Sequence, residues 1–184
     1  MNEEVPMAKI TTVGRFAADY RTEFTLIIGR GYAEEFCLER LFFPNTETLK
    51  NVRAFEAFLI DIRGDKKPAK ASYLDWVRAE IKRLGFMAPR LRELVPFIHN
   101  FHRHELVLGS HVMATRQVWR DPKTGNRYCP SGTGVEGPAF SVRFSKEQVF
   151  GHWQGCVKPS LYLALRDITE EMLAEIARQD MVGP

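Results

Sequence analysis

Only three cysteines occur in this 184-residue sequence, and none of them is part of a Cys-x-x-Cys pair. No apolar run approaches the roughly 20 residues needed to cross a bilayer. The acidic start, MNEEVPMAKITT, lacks the apolar centre of a secretory signal. These absences argue against a disulfide scaffold, a membrane span and export, and they predict a cytoplasmic protein with free thiols.

Internal repeats and low-complexity tracts are also missing, as are the motif spacings of dinucleotide-binding, P-loop, kinase, zincin and nucleophile-elbow proteins. No stretch resembles a known family. Composition is ordinary for a globular chain, with 45% hydrophobic and 27% charged residues. The length and composition predict a single domain, residues 1–184, with a substantial buried core.

Charge is the first feature that is unevenly distributed. The net charge is only +3, but residues 63–127 carry 14 Lys and Arg against 6 Asp and Glu, a formal +8. The flanking segments, 1–62 and 128–184, are formally −3 and −2. A basic region within a nearly neutral chain is typical of proteins that bind a polyanion, although cations that only solvate two helices give the same pattern.

Hydrophobic periodicity predicts strands in the first part of the chain, then helices. The early strands are 23–29 and, with a less regular pattern, 33–43. The apolar residues Leu49, Val52, Phe55, Leu59 and Ile62 recur at helical spacing and predict a first helix ending at Gly64. A second helix starts at a Ser72 cap and stops at Gly85. A third starts at Pro89 and is expected to kink or end at Pro96.

The remainder of the sequence has β character. A strand at 111–120 leads through a Pro- and Gly-containing turn into a returning strand at 126–128, and a glycine-rich loop follows at 129–138. Strands at 139–144 and 160–167 precede a final helix that opens on the capping-box sequence 167–170 and runs through Leu173, Ile176 and Ala177 to Gly183. This order predicts an α+β fold: a mainly antiparallel sheet, a three-helix segment inserted between strand blocks, and a C-terminal helix.

The basic region supplies the main candidate contacts to phosphate. Lys and Arg neutralise phosphate groups, and nearby aromatics such as Phe86, Phe101 or Trp119 could stack on unpaired bases, unless they belong to the core. The predicted phosphate-binding side chains are Lys82, Arg83, Arg90, Arg92, Arg103 and Arg116.

A histidine cluster lies within this region, because HNFHRHELVLGSH (99–111) holds four of the five histidines. Together with Cys129, Cys156 or Glu105 they could complete a zinc site, but the spacing matches no zinc signature. The alternative is that Phe97, Ile98 and Phe101 anchor this segment to the core and the histidines surround its solvent edge.

The glycine-rich loop is the third candidate. Amides and hydroxyls of Ser131, Gly132, Thr133 and Gly134 could form an anion-binding nest, and Glu136 could act as a general base or help hold Mg²⁺. The alternative is a flexible connection whose glycines serve only the turn.

These features favour a protein that binds nucleic acid, a nucleotide or another phosphate-bearing ligand through residues 63–127. One alternative is a phosphodiester- or nucleotide-hydrolysing enzyme using His102, His104 and Glu136, with Mg²⁺ as a possible cofactor. Another is a protein-interaction or inhibitor protein whose basic face meets an acidic partner. None of these hypotheses involves a membrane.

Overall fold

A computed structural model of the chain describes residues 9–20, 52–61, 72–120, 122–134, 140–146 and 160–181. Within these ranges the fold is α+β, with seven strands and three helices. The strands are β1 (Lys9–Asp19), β2 (Val52–Asp61), β3 (His111–Met113), β4 (Trp119–Arg120), β5 (Arg127–Gly134), β6 (Phe140–Lys146) and β7 (Ser160–Asp167). The helices are α1 (Tyr73–Arg83), α2 (Leu91–Phe101) and α3 (Thr169–Met181).

The seven strands form one mixed sheet in the order β1-β2-β7-β3-β5-β4, with β6 also paired to β5. Strand β7, late in the chain, lies between β2 and β3: it is antiparallel to β2 and parallel to β3. The other pairings are antiparallel. Residues from both halves of the sequence therefore meet at the centre of the sheet.

Helices α1 and α2 cover opposite faces of the sheet. In β2, Phe55 and Leu59 belong to the hydrophobic cluster that contains the buried side of α2, whereas Ile60 belongs to the cluster of α1. The chain passes from one side to the other at Met87, whose main chain exchanges two hydrogen bonds with Leu165 of β7. The sheet thus separates two helices that are close in sequence.

Residues 52–61 form strand β2, so the prediction of a helix through Leu49–Ile62 is wrong, and the described residues of the predicted three-helix segment contain two helices. The reason is that both faces of β2 are covered. Its alternate residues, Phe55, Ala57 and Leu59 against Phe58 and Ile60, pack in two different cores. A strand buried on both faces loses the polar–apolar alternation, and its apolar residues can then fall at helical spacing by chance.

The predicted limits of α1 are confirmed. The Ser72 hydroxyl accepts a hydrogen bond from the Asp75 amide at 3.2 Å, which caps the first turn. Leu74, Val77 and Ile81 are buried. Gly85 follows the helix with φ +82°, a left-handed conformation that suits glycine at a helix end.

Helix α2 continues past Pro96, which is its sixth residue, so of the two outcomes expected there, a kink or an end, the end is excluded. Proline at this position removes the hydrogen bond to the Arg92 carbonyl and costs about 3 kcal/mol or more. Phe97 and Ile98, directly after it, are fully buried against the sheet. We attribute the continuation of α2 to this packing, since burying two such side chains offsets a cost of that size.

The β-rich part of the chain differs from its prediction in two places. The strand expected at 111–120 is interrupted: β3 ends at Met113, β4 begins at Trp119, and the Arg116 amide between them donates to the Pro89 carbonyl at 3.0 Å. The loop expected at 129–138 is strand through Gly134. The β4–β5 hairpin, β6 and β7 are confirmed, whereas the strands predicted at 23–29 and 33–43 lie outside the described residues.

Helix α3 is confirmed, and Thr169 attaches its first turn to β2. The Ala54 amide donates to the Thr169 hydroxyl at 3.0 Å. Leu173, in this helix, is 57% exposed. Capping signals located the start of α3, but they do not determine which side of a helix meets the sheet.

One ion pair attaches the β4–β5 hairpin to the start of α1. The Arg127 guanidinium donates to both carboxylate oxygens of Asp75, at 2.8 and 2.9 Å, and to the Ser72 hydroxyl at 2.6 Å. These hydrogen bonds, first that from Arg127 and then that from Ser72, lower the pKa of Asp75 far below its ordinary value.

We therefore predict that Arg127→Gln lowers the free energy of unfolding by up to about 1 kcal/mol at neutral pH, because Asp75 is half exposed and its charge is screened. Since the folded pKa of Asp75 is depressed, the pair stabilises the protein above the ordinary value of 3.8 and loses its effect as the pH falls below it. Urea titrations at several pH values between about 7 and 2 measure the difference. Arg120→Gln, an exposed cation on the same hairpin, is the control. A difference that grows on acidification would contradict the prediction.

Candidate functional site

The six cations predicted to contact phosphate lie on two sides of the sheet. Lys82 and Arg83 end α1, on one side, and are exposed. Arg90, Arg92 and Arg103 belong to α2 or its ends, on the other side. Arg116 lies next to the start of α2 through its main-chain hydrogen bond to Pro89. The structure thus places Arg90, Arg92 and Arg116 at or beside the start of α2 and Arg103 beyond its end, and separates Lys82 and Arg83 from them.

On the α1 side, carboxylates accompany the cations. Arg83 pairs with Glu80 at 2.8 Å, and Asp75 pairs with Arg78 at 3.5 Å and with Arg127 at 2.8 Å. The surface of α1 is therefore one of mixed charge, in which much of the positive potential is cancelled locally.

Helix α2 contains a single carboxylate, Glu93, and this residue is only 4% exposed. It accepts a hydrogen bond from the Arg90 amide at 2.5 Å, which caps the helix, and another from the Tyr20 hydroxyl. Burial, and then the neighbouring charge of Glu93, raise the pKa of Tyr20 well above its usual range, so the phenol keeps the proton that it donates. The only carboxylate of α2 therefore does not lie on the exposed surface of the helix.

The outward side of α2 consequently carries basic side chains without a carboxylate of the helix between them. Arg92 and His99, seven residues apart, lie on one side of α2, and Arg103 follows two residues after its end. His99 and Arg103 are exposed, and Arg92 is half-buried, donating to the Tyr20 carbonyl at 3.2 Å. Glu105 is the nearest exposed carboxylate in sequence. We call this surface the α2 cationic face, composed of Arg90, Arg92, His99 and Arg103 with Arg116 beside its first turn.

A polar network supports the start of this helix. Tyr20 and Glu93 lie near Arg53, which pairs with Asp167 and lies over the Phe55 ring with 5.5 Å between its guanidinium carbon and the ring centroid. Burial alone would raise the pKa of Asp167, but hydrogen bonds from Thr169 and the pairing with Arg53 outweigh it and lower the pKa. The network joins β1, β2, β7, α2 and α3. The sequence analysis did not identify it, although a carboxylate at 93, one turn before the buried Phe97, is a signal for it.

The histidines do not form one cluster within the described ranges. His99 lies on the outward side of α2, and His102 at its end donates from Nδ1 to the His99 carbonyl at 2.9 Å. His104 accepts the Leu106 amide at 3.3 Å through Nδ1. His111 is in β3, on the same side of the strand as Met113, which packs in the α1 cluster. Glu136 lies outside the described residues, so its convergence with His102 and His104 stays a prediction.

No group of three or more His, Cys, Asp or Glu side chains able to hold a metal ion occurs in the described parts of the chain. Cys129, considered above as a zinc ligand, is fully buried in the α1 cluster, on the side of the sheet away from α2. Cys156 lies outside the described residues.

The four residues predicted to form an anion-binding loop are in β5, between β3 and β6. The Ser131 hydroxyl is buried and hydrogen-bonded to that of Ser145 at 2.6 Å. Gly132 and Gly134 lie under α2: a Cβ on Gly132 would come within 3.0 Å of Ile98, and one on Gly134 would come equally close to the His102 carbonyl oxygen. Thr133 pairs with His111. The loop conformation on which the phosphate prediction rested is not found, because these glycines admit a helix rather than an anion.

Two of the aromatic residues considered for base stacking are in the core. Phe86 packs against Phe58 with 4.5 Å between ring centroids, and Phe101 packs against Phe97 at 5.2 Å. The side chain of Trp119 is not described.

Comparisons with protein-family models, with curated proteins and with solved structures find no match to this chain. None of the helices that the structure describes is long and apolar enough to cross a membrane.

We predict that Gly132→Ala lowers the free energy of unfolding by about 1–3 kcal/mol, because the added methyl group overlaps Ile98. Ile98→Ala destabilises on its own but provides space for that methyl, so the double variant should lose less than the sum of the two. Urea unfolding of the four proteins gives the coupling. If the loss of unfolding free energy in the double variant equalled the sum of the two single losses, the close contact between Gly132 and Ile98 would be contradicted.

For the Glu93 network we predict that Tyr20→Phe costs about 1–3 kcal/mol, because a buried carboxylate loses one of its donors. In a Glu93→Gln background the same change should cost less, since the amide carries no charge to satisfy. Thermal or urea unfolding measures both. An unchanged stability of Tyr20→Phe in the wild-type background would show that the hydrogen bond is unimportant.

Proposed function

We propose that this chain binds a phosphate-bearing polyanion, in the first place a nucleic acid, through the α2 cationic face. The observation that carries the proposal is the burial of Glu93. With its only carboxylate facing the core, α2 exposes no acidic side chain of its own between Arg90 and Arg92 at its start and Arg103 beyond its end. Lys82 and Arg83 are not part of the proposed surface, because they lie on the other side of the sheet among carboxylates.

The distribution of charge along α2 suits a partner with repeated phosphates. Arg92 is in the first turn of α2 and Arg103 lies two residues beyond its end, so the two are near opposite ends of the helix. At the first turn, Arg90 and Arg116 coincide with the positive end of the helix dipole, and both attract anions. Phosphates along a nucleic-acid backbone could engage both ends at once, with release of the counterions condensed on them.

The proposal concerns binding and not hydrolysis. The Nδ1 atoms of His102 and His104 are used in hydrogen bonds to the main chain. Hydrolysis would also need a carboxylate or metal beside them, and the described residues supply no metal-binding group. The hydrolase hypothesis with Glu136 and Mg²⁺ therefore has less support than binding.

We predict that affinity for a labelled 20-mer oligonucleotide falls steeply with salt, and that Arg103→Gln with Arg116→Gln reduces the slope of log K against log salt by about one unit per lost phosphate contact. Fluorescence anisotropy at several salt concentrations, with and without Mg²⁺, provides the measurement. Gels of the same mixtures detect any cleavage.

The matched comparison is Lys82→Gln with Arg83→Gln, which removes the same charge from the opposite side of the sheet. It should leave the slope nearly unchanged. Equal losses in both double variants would indicate attraction by net charge alone and contradict an α2 site. An affinity for polyglutamate equal to that for the oligonucleotide would favour the acidic-protein hypothesis instead.

A further inference from the structure

Side chains from three strands meet on the α2 side of the sheet, near the start of that helix. Arg53 of β2 lies directly opposite Ala18 of β1. Phe55, two residues further along β2, lies directly opposite Asp167 of β7 and belongs to the hydrophobic cluster that contains α2. Side chains two residues apart in a strand point to the same face of the sheet. Arg53 and Asp167 are therefore on the α2 side, where Tyr20 also packs.

One cation of this group, Arg53, interacts with two carboxylates. Its guanidinium donates a hydrogen bond to the Asp167 carboxylate. Burial alone would lower the pKa of Arg53, but the hydrogen bond and the charge of Asp167, followed by the charges of Tyr20 and Glu93, raise it. Asp167 and Glu93 therefore both favour the charged guanidinium, and Arg53 is shared between them.

Each of the two carboxylates begins a helix. Asp167 accepts hydrogen bonds from the Thr169 amide at 3.0 Å and from the Thr169 hydroxyl at 2.6 Å, at the start of α3. Glu93 accepts the Arg90 amide at 2.5 Å, at the start of α2. The Asp167 side chain is 29% exposed, whereas Glu93 is 4% exposed. Because water screens charges less in the interior, Glu93 is the carboxylate that responds more strongly to a change of charge nearby.

We propose that Arg53 is a shared cation that couples the start of α3 to the start of α2 in opposite senses. When the contact of Arg53 with Asp167 is weakened by loss of the Asp167 charge, Arg53 acts more fully on Glu93. A negative charge that repels Glu93 is removed at the same time. Both effects strengthen the cap of α2, while the first turn of α3 loosens. A change at α3 thus alters the attachment of α2, and this inference does not rest on the proposed function.

Asp167→Asn tests the coupling, because it removes the charge and keeps an oxygen that can accept the Thr169 amide. Amide hydrogen exchange at neutral pH, followed by NMR, reports on the two carboxylates separately through the Thr169 and Arg90 amides that they accept. We expect the Thr169 amide to exchange faster and the Arg90 amide to exchange more slowly, each by about two- to fivefold, which is the range for a partly exposed ion pair. A general loss of stability would instead accelerate both.

The matched control is Glu56→Gln. Glu56 pairs with Arg166 at 2.6 Å between the same two strands, at the position next to Phe55 and Asp167. Neighbouring residues in a strand point to opposite faces, so this variant removes the same charge from the other side of the sheet. It should leave the exchange of both reporter amides unchanged.

A third variant, Arg53→Gln, removes the shared cation, and it should accelerate exchange of the Thr169 and Arg90 amides together. Acceleration of the Thr169 amide alone would show that Arg53 serves only Asp167 and would overturn the inference. So would an Arg90 amide that is unchanged or faster in Asp167→Asn. Slower exchange of the Arg90 amide in Glu56→Gln would equally overturn it, because the effect would then not pass through Arg53.

Discussion

The burial of one carboxylate determines how α2 is attached and what its surface presents. Glu93 caps the helix through the Arg90 amide and connects it to β1 through the Tyr20 hydroxyl, and it is only 4% exposed while doing so. A buried charge is tolerated when donors surround it, and here two elements distant in sequence provide them. The same arrangement leaves α2 with an outward surface that is only neutral or positive.

The difference between the surfaces of α1 and α2 matters because the sheet lies between the two helices. Helices α1 and α2 are separated by seven residues, and both belong to the basic region of the chain. The crossing at Met87 places them against different faces, so their charges do not combine into one surface. Charge that is contiguous in sequence is therefore divided in space between the two faces of the sheet.

The sequence is a good guide where the determinants are local and a poor one where they are not. The limits of α1 follow from Ser72 and Gly85, whose effects reach only a few residues. The error at residues 52–61 arises because β2 is covered on both faces, and no periodicity within the strand reveals this. Gly132 and Gly134 were interpreted as part of a loop. The need for glycine at these two positions comes from close contact with Ile98 and the His102 carbonyl, which lie some 30 residues earlier in the sequence. For the candidate site, the cations were found from composition, but their division between two surfaces depends on topology.

The position of β7 has a consequence for how the chain is made. This strand is last in sequence among the seven described, yet β2 and β3 hydrogen-bond to its two sides. During synthesis, the segments containing β1–β2 and β3–β5 leave the ribosome as two half-sheets with no strand to join them. Their inner edges, rich in unpaired amides and carbonyls, remain open to chaperones or to neighbouring nascent chains until residues 160–167 emerge.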